Sequence, residues 1–431
     1  MDRRDFLLSA AATSLLTSAS ASGAKGSANA VSGEQQFTFP PEWGPHETVW
    51  IGWNDWVSSE AHTKLRLDML ESLTPYIPVT VNVPDEASAQ RVATHMQERA
   101  IDPERVLFNI QDTVDIWVRD TGPLFISNGR RLQLAAFKWG NYGFPWPYTS
   151  PPQMARGDAP RQVAASRGYR LRTSDVVAEG GGIEVNSRSL ITYRDAAMHR
   201  NPGKTLNEIE TELKRLYGKE QVIWLDRAPI TDRIFAGPKV ANFFGWGANG
   251  HVDEYVRFVS EDTLLVAEVN EEERERDALM RLDHEILAEN RRQLEEARDP
   301  DGNPFKVVTM PAPDVAPFLR RRTLTEADFA SNPENGFDQR SIYRDFEVGD
   351  EVIDVPAVSY LNFLITNGVV ISARYWEEGL PEALRESDAR AAAILKEHFP
   401  DRDIVQINPL AANWDGGGVH CLTQQQPTLG V

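Results

Sequence analysis

Asp415-Gly416-Gly417-Gly418-Val419-His420-Cys421-Leu422-Thr423-Gln424, near the C-terminus of the 431-residue chain, holds its single cysteine. Three glycines in a row open backbone conformations closed to other residues and let the chain approach a ligand or another strand closely. Val419 to Thr423 then reads as a short strand, which sets a sulfur at the end of a glycine-rich turn. A free cysteine is often only a small buried hydrophobe, so this stretch by itself leaves a packing role and a reactive role both open. A faint echo lies far upstream, Glu179-Gly180-Gly181-Gly182-Ile183-Glu184 against Asp415-Gly-Gly-Gly-Val-His. Around the two, β-α-β units recur with no linker or break of composition between residues 35 and 430. About four hundred residues is long for one domain, so a closed array of similar α/β units is the economical reading.

Working outward, the first unit pairs a strand over Thr48–Trp53 with a helix whose Leu65, Leu67, Met69, Leu70 and Leu73 form an apolar stripe. Val79–Val83 is a strand by β-branching, and a helix capped by Asp85 follows to Arg99. Strand Arg105–Ile110 delivers the chain into Asp115-Ile116-Trp117-Val118-Arg119-Asp120-Thr121-Gly122-Pro123. Later units repeat the plan: strand Ser174–Ala178 into the first glycine triplet, strand Ser189–Tyr193, helix Lys204–Tyr217, then Gly250-His251-Val252-Asp253 read as strand. Glu271–Arg298 is read as one surface helix with Leu279, Leu282, Ile286 and Leu294 inward and its charges solvated. Residues 311–350 read as an irregular insertion or lid, and strands Leu361–Thr366 and Val369–Ser372 with helix Glu382–Phe399 lead to the cysteine.

Charge and composition narrow the function. Lys and Arg total 45 against 64 Asp and Glu, a formal charge of −19. That balance disfavours nucleic acid and anionic membrane surfaces and would draw in a cationic substrate. Arg3-Arg4, a short apolar run to Leu16 and small-residue sites at Ala19-Ser20-Ala21 and Ala28-Asn29-Ala30 read as a twin-arginine-type export signal over residues 1–30. The mature protein, residues 35–430, is then expected in the periplasm with no membrane anchor. A lone thiol in an oxidising compartment forms no internal disulfide and is flagged as reactive.

A thiolate nucleophile needs a neighbouring base or cation and something to hold its electrophile. His251 and Asp253, two apart on an expected strand, would project to one side, so His251 is the candidate acid/base. His420, next to Cys421, would face the other way and reads as structural. Asp120, in a tight Arg-Asp-Thr-Gly-Pro turn, and Glu179, ahead of three glycines, each also fit a turn carboxylate bonded to its own backbone. Two carboxylates and an aromatic wall together suit a planar cation held by paired hydrogen bonds.

Six motifs in order, Trp43-Gly-Pro-His-Glu, Asp115-Ile-Trp-Val-Arg-Asp-Thr-Gly-Pro, Glu179-Gly-Gly, Asn249-Gly-His-Val-Asp, Ser359-Tyr-Leu-Asn-Phe-Leu-Ile and Gly416-Gly-Gly-Val-His-Cys-Leu-Thr-Gln-Gln-Gln-Pro, resemble the agmatine deiminase family. That family includes the bacterial, Porphyromonas-type peptidyl-arginine deiminases. The resemblance implies the pentein fold of guanidine-modifying enzymes, a five-bladed α/β propeller of ββαβ-type units with the active site at its centre. It implies Cys421 as nucleophile, His251 as acid/base, Asp120 and Asp253 on the guanidinium nitrogens, and Asn362 lining the site. Glu179 would orient substrate or His251, and Trp117 would stack on the guanidinium or pack. No metal or organic cofactor is required. The expected reaction is hydrolytic deimination of a small cationic guanidino substrate, agmatine, to N-carbamoylputrescine and ammonia through a covalent thiouronium. Deimination of an arginine-containing peptide or free arginine is the alternative; an amidinotransferase and a non-catalytic binding protein on the same fold are remoter ones. Two departures bear on substrate: Trp246-Gly247-Ala248 stands where an acidic residue is usual before Asn-Gly-His, and Trp139–Trp146 has no arginine to clamp a carboxylate, a part Arg320-Arg321-Arg322 could take.

Overall fold

Runs of β-branched and aliphatic residues bounded by turns become the middle strands of small sheets. Ser189–Tyr193 and Val369–Ala373 are buried along their whole length, as strands covered on both faces must be. The computed structural model describes residues 36–54, 59–144, 155–234, 237–245, 247–330 and 343–430. The export signal read over residues 1–30, Trp246, residues 145–146 of the aromatic segment and residues 331–342 of the insertion lie outside the described residues.

The described strands form six separate sheets in an α/β arrangement, and five of the six repeat one pattern. In each of the five, a short strand runs antiparallel to a middle strand. The middle strand runs parallel to an outer one, reached through a helix. Leu124–Ser127, Leu132–Lys138 and Arg170–Val177 make one such sheet, and Glu184–Val185, Ser189–Tyr193 and Gln221–Leu225 the next. Val256–Phe258, Thr263–Glu268 and Lys306–Pro311 follow, then Leu364–Thr366, Val369–Ala373 and Asp403–Ile407. The last is assembled from both ends of the sequence. Thr423–Pro427 lies antiparallel to His46–Gly52, which pairs in parallel with Val79–Val83 and so with the extra strand Val106–Ile110.

Local signals account for most boundaries. The helix Glu60–Leu73 is capped by Ser59 and buries the five expected apolar residues; Glu86–Glu98 is capped by Asp85 as read. Leu206–Tyr217 starts with a reciprocal capping box between Thr205 and Glu208. Two readings need correction. Glu271–Arg298 is two helices, Glu271–Arg276 and Ala278–Glu296, because Asp277 turns extended and its carboxylate takes the Met280 amide, starting a second helix. The 311–350 region is not irregular throughout: Arg320–Thr323 pairs antiparallel with Glu351–Val355, which pairs in parallel with Phe243–Gly245 in the sixth sheet.

The five repeats share one further trait. Just ahead of each short inner strand stands a loop carrying a residue singled out from sequence: Asp120 before Leu124, Glu179 before Glu184, His251 and Asp253 before Val256, Asn362 before Leu364, and Cys421 before Thr423.

Candidate active site

Cys421 is not on a strand. It ends a turn after Gly418, and the strand begins at Thr423. His251 and Asp253 are likewise off any strand: His251 caps a turn of 3-10 helix, Val252–Glu254, and Asp253 is its middle residue. Both side chains still reach one place, because the turn, rather than strand alternation, brings them round. Asp120 sits in the short helix Val118–Thr121.

The cysteine loop is fixed by Asn362. Its Oδ1 accepts the amides of His420 (2.9 Å) and Cys421 (3.3 Å), while its Nδ2 donates to Cys421 Sγ at 3.2 Å. A Cβ on Gly418 would stand 2.7 Å from that same Oδ1, so glycine is what lets the loop close on the amide. Sγ also lies 3.6 Å from Asp253 Oδ2 and 3.7 Å from Glu254 Oε1, and the residue is 2% exposed. Burial, with Asp253 and Glu254 adding to it, pushes the thiol well above its usual range. Burial and the neighbouring Asp253 and Asp232 raise Glu254 strongly too.

His251 is fully buried between two carboxylates. Its Nδ1 is 3.7 Å from Asp120 Oδ1 and its Nε2 is 3.5 Å from Glu179 Oε2, and neither nitrogen makes a hydrogen bond. Burial opposes the imidazolium, but Asp120, Glu179 and Asp253 outweigh it and lift the group to about 9. The loop beneath is held by Asp232, which takes the amides of Ala248 (2.7 Å), Gly250 and His251 (2.8 Å). Glu179 is anchored by Arg200, whose Nε donates at 2.6 Å while its other nitrogens bind the carbonyls of Asn249 and Ala248. Burial would raise Glu179, yet Arg200 and His251 bring it below its ordinary value.

Asp120 Oδ1 accepts the Gly181 amide at 2.9 Å and Oδ2 the Tyr142 hydroxyl at 3.2 Å. Burial raises its carboxyl to about 6. Gly181 sits among the functional groups: a Cβ there would come within 2.7 Å of His251 Nδ1 and 3.0 Å of both Asp120 and Asp253. Tyr142 and the preceding Asn141 are both held at positive φ, 61° and 47°, with the Tyr142 ring 5.6 Å from that of His251. Backbone held in this region concentrates at functional sites.

His420, read as pointing away from the thiol on an extended strand, lies in a turn and reaches the same carboxylate oxygen, Asp253 Oδ2, that the thiol approaches. Its Nδ1 is 2.6 Å from Asp253 Oδ2 and its Nε2 2.7 Å from Glu42 Oε1. Glu42 in turn receives Arg119 at 2.9 Å and Arg257, and Arg257 reaches Glu184 at 3.0 Å. Burial works against the charge on Glu42, and His420, Arg119 and Arg257 together hold it well below the carboxylate range. Trp117 packs beside the thiol: a Cβ on Gly417 would touch its ring at 2.8 Å and Sγ at 3.1 Å. Of the three arginines considered for a carboxylate clamp, Arg322 is committed to Asp354, Asp328 and the Tyr343 hydroxyl, and Arg320 lies 3.8 Å over the ring of Trp414, two residues before Gly416.

All seven residues named from sequence are buried or nearly so in or beside this cluster. Glu42, Tyr142, Glu254, Arg200, Asp232 and Gly181 were not foreseen. Asp253, Glu254 and Cys421 offer ligand atoms within 4.8 Å of one another, the one such group of three among the described residues; it surrounds the thiol itself, and no ion is assigned to it. Four buried polar atoms here have no hydrogen-bond partner in the protein: both His251 nitrogens, Glu179 Oε1 and Asp253 Oδ1. Native interiors rarely leave such groups empty, and acceptors around a thiol and an imidazole are what a planar, cationic N–H donor requires.

A site of this composition defines a hydrolase that acts on guanidino C–N bonds through a cysteine. The family model described as Porphyromonas-type peptidyl-arginine deiminase matches residues 38–427, and the chain belongs to that family. It is 28% identical over 411 residues to an agmatine deiminase of Ectopseudomonas mendocina (strain ymp), covering 91% of this chain and 95% of the relative. It is 29% identical over 405 residues to that of Pseudomonas aeruginosa (strain LESB58), with the same coverage. A solved agmatine deiminase of Enterococcus faecalis shares the fold with a TM-score of 0.69 at 22% identity, over 92% of this chain and 96% of that one.

Proposed function

We propose that the protein hydrolyses agmatine to N-carbamoylputrescine and ammonia through a covalent thiouronium on Cys421. The observation that carries this is the set of unfilled acceptors on Asp253 and Glu179 around one buried thiol and one unbonded imidazole. Asp120 and Asp253 take the guanidinium N–H groups, and the cation they hold stabilises the thiolate that burial and acids otherwise oppose. The thiol proton passes to solvent water as the cation binds, and the thiolate so formed attacks the guanidinium carbon. His251, protonated near neutral pH, gives its proton to the departing ammonia and then takes one from the water that releases the product. Asn362 holds the nucleophile, Glu179 holds His251, and Trp117 walls the site.

The five repeated sheets are read as five blades set round this centre, each supplying its residue from the same loop. Agmatine is favoured over a peptide by the curated relatives, which are agmatine deiminases along nearly their full length, and by the net acidity of the chain. Residues 1–30 are proposed to direct export, supported by Arg3-Arg4 and the short apolar run; signal-dependent recovery in the periplasmic fraction tests that. For the activity, ammonia release is measured with agmatine and with arginine-containing peptides, using Cys421→Ala as blank. Faster release from agmatine is expected. Faster release from peptides moves the substrate to protein arginine, and transfer to an added amine instead of water makes the protein an amidinotransferase.

A further inference from the structure

His420 sits between two carboxylates that it approaches equally closely, Asp253 Oδ2 at 2.6 Å and Glu42 Oε1 at 2.7 Å. A neutral imidazole has one N–H and one lone pair. A lone pair cannot face an ionised carboxylate at such a distance, so two protons must lie along the chain Glu42–His420–Asp253. Glu42 is fixed as the anion by Arg119 and Arg257, which puts one proton on Nε2. The second belongs to the contact between Nδ1 and Asp253 Oδ2 and can rest on either atom. The same Oδ2 is the oxygen 3.6 Å from Cys421 Sγ, and the other oxygen of Asp253 is buried without a partner.

We infer that His420 is a positioning residue which takes up the proton shared with Asp253, so that Asp253 meets the guanidinium as a carboxylate with Oδ1 free to accept. The inference rests on the reading that Asp253 binds that cation. The transfer is balanced: the O–H bond on Oδ2 breaks, an N–H bond forms on Nδ1, and the reverse occurs when the cation leaves. The groups facing the pair are Arg119, Arg257 and Glu42 on the His420 side, and His251, Asp120, Glu254 and the Cys421 thiol on the Asp253 side. Burial, Arg119 and Arg257 work against a second proton on His420, while Glu42 and Asp253 favour it. Burial likewise opposes the charge on Asp253, and His420, His251 and Arg257 overcome it. A cation arriving at Oδ1 repels the shared proton from Oδ2 towards the ring.

His420→Gln removes the proton acceptor and keeps a donor of similar reach. With Asp253 left to its burial, the acidic limb of kcat/KM should move up by at least about one pH unit, a loss of about fivefold at the wild-type midpoint and about tenfold well below it, with KM changed more than kcat. A merely structural role would lower kcat/KM by the same factor at every pH, and that result in a variant with wild-type thermal unfolding overturns the inference. Should the variant fail to fold, nitrogen-15 shifts of His420 in Cys421→Ala saturated with agmatine decide the matter. Two protonated nitrogens are expected, and a neutral ring in the bound state overturns it. If calorimetry shows no agmatine binding to Cys421→Ala, the function proposed above fails instead, and the two failures are told apart.

Discussion

Two histidines, each buried between two carboxylates, divide the work of this site by how tightly they are held. His420 has a carboxylate oxygen within 2.7 Å of each nitrogen. His251 has its carboxylates at 3.5 and 3.7 Å and no hydrogen bond to either ring nitrogen. The tight pair of contacts fixes a ring and its charge pattern. The loose pair leaves a ring that can gain and lose a proton to something not yet bound, which is what a general acid and base must do. Sequence position points the other way, since His420 is the neighbour of the nucleophile.

The comparison can be broken at several places, and the largest effect is expected at the nucleophile both rings serve. Cys421→Ala should lose turnover by on the order of 10⁴-fold or more, while losing about 1 kcal/mol of stability for one buried thiol; ammonia assays and thermal melts read the two separately. His251→Gln should lose about 10²–10⁴-fold in kcat and, near neutral pH, should also unfold at a lower temperature, because Asp120 and Glu179 lose the buried imidazolium between them. Turnover kept in His251→Gln but lost at every pH in His420→Gln would invert the assignment. Gly181→Ala drives a methyl between His251, Asp120 and Asp253, and a loss of about 10²-fold in kcat/KM is expected from displaced geometry.

The pH profile sharpens the contrast without a mutation. Asp120, raised by burial to about 6, must be ionised to hold the substrate, so kcat/KM should rise through about 6. His251, lifted to about 9, must keep its proton, so activity should fall through about 9. The same lift gives His251 a stabilising contribution that is complete below 6.5, its ordinary value, and is lost as pH climbs through about 9. An alkaline limb that persists in His251→Gln would assign it elsewhere. The smallest effect is expected from Tyr142→Phe, which removes one hydroxyl from Asp120: the acidic limb should rise slightly and kcat/KM fall a few-fold, about the value of one hydrogen bond to a charged group.

How much of this was legible beforehand differs between the fold and the site. Local chemistry marked the strands at Val79–Val83 and Ser189–Tyr193 and the caps at Asp85 and the helix after Lys204, because those signals are contained within a few residues. Asp277 was hidden inside a charged run and split a helix read as one. His251 and Asp253 were chosen by strand alternation, and a 3-10 turn instead of a strand brings their side chains into the cluster. Glu42 contacts residues more than two hundred positions away, so no pattern near it announces the role. Tyr142 had a signal in the aromatic cluster around Trp139, but its positive φ depends on being pinned by Asn249, which donates to its carbonyl at 2.9 Å.

The central claim is that Cys421 carries the substrate covalently. Wild-type protein is mixed with agmatine, quenched in acid during turnover and examined by intact and peptide mass spectrometry. The account predicts an added mass equal to agmatine less ammonia, confined to the peptide bearing Cys421 and absent from Cys421→Ala. Turnover of agmatine by Cys421→Ala at the wild-type rate, with no adduct at any quench time, would contradict it.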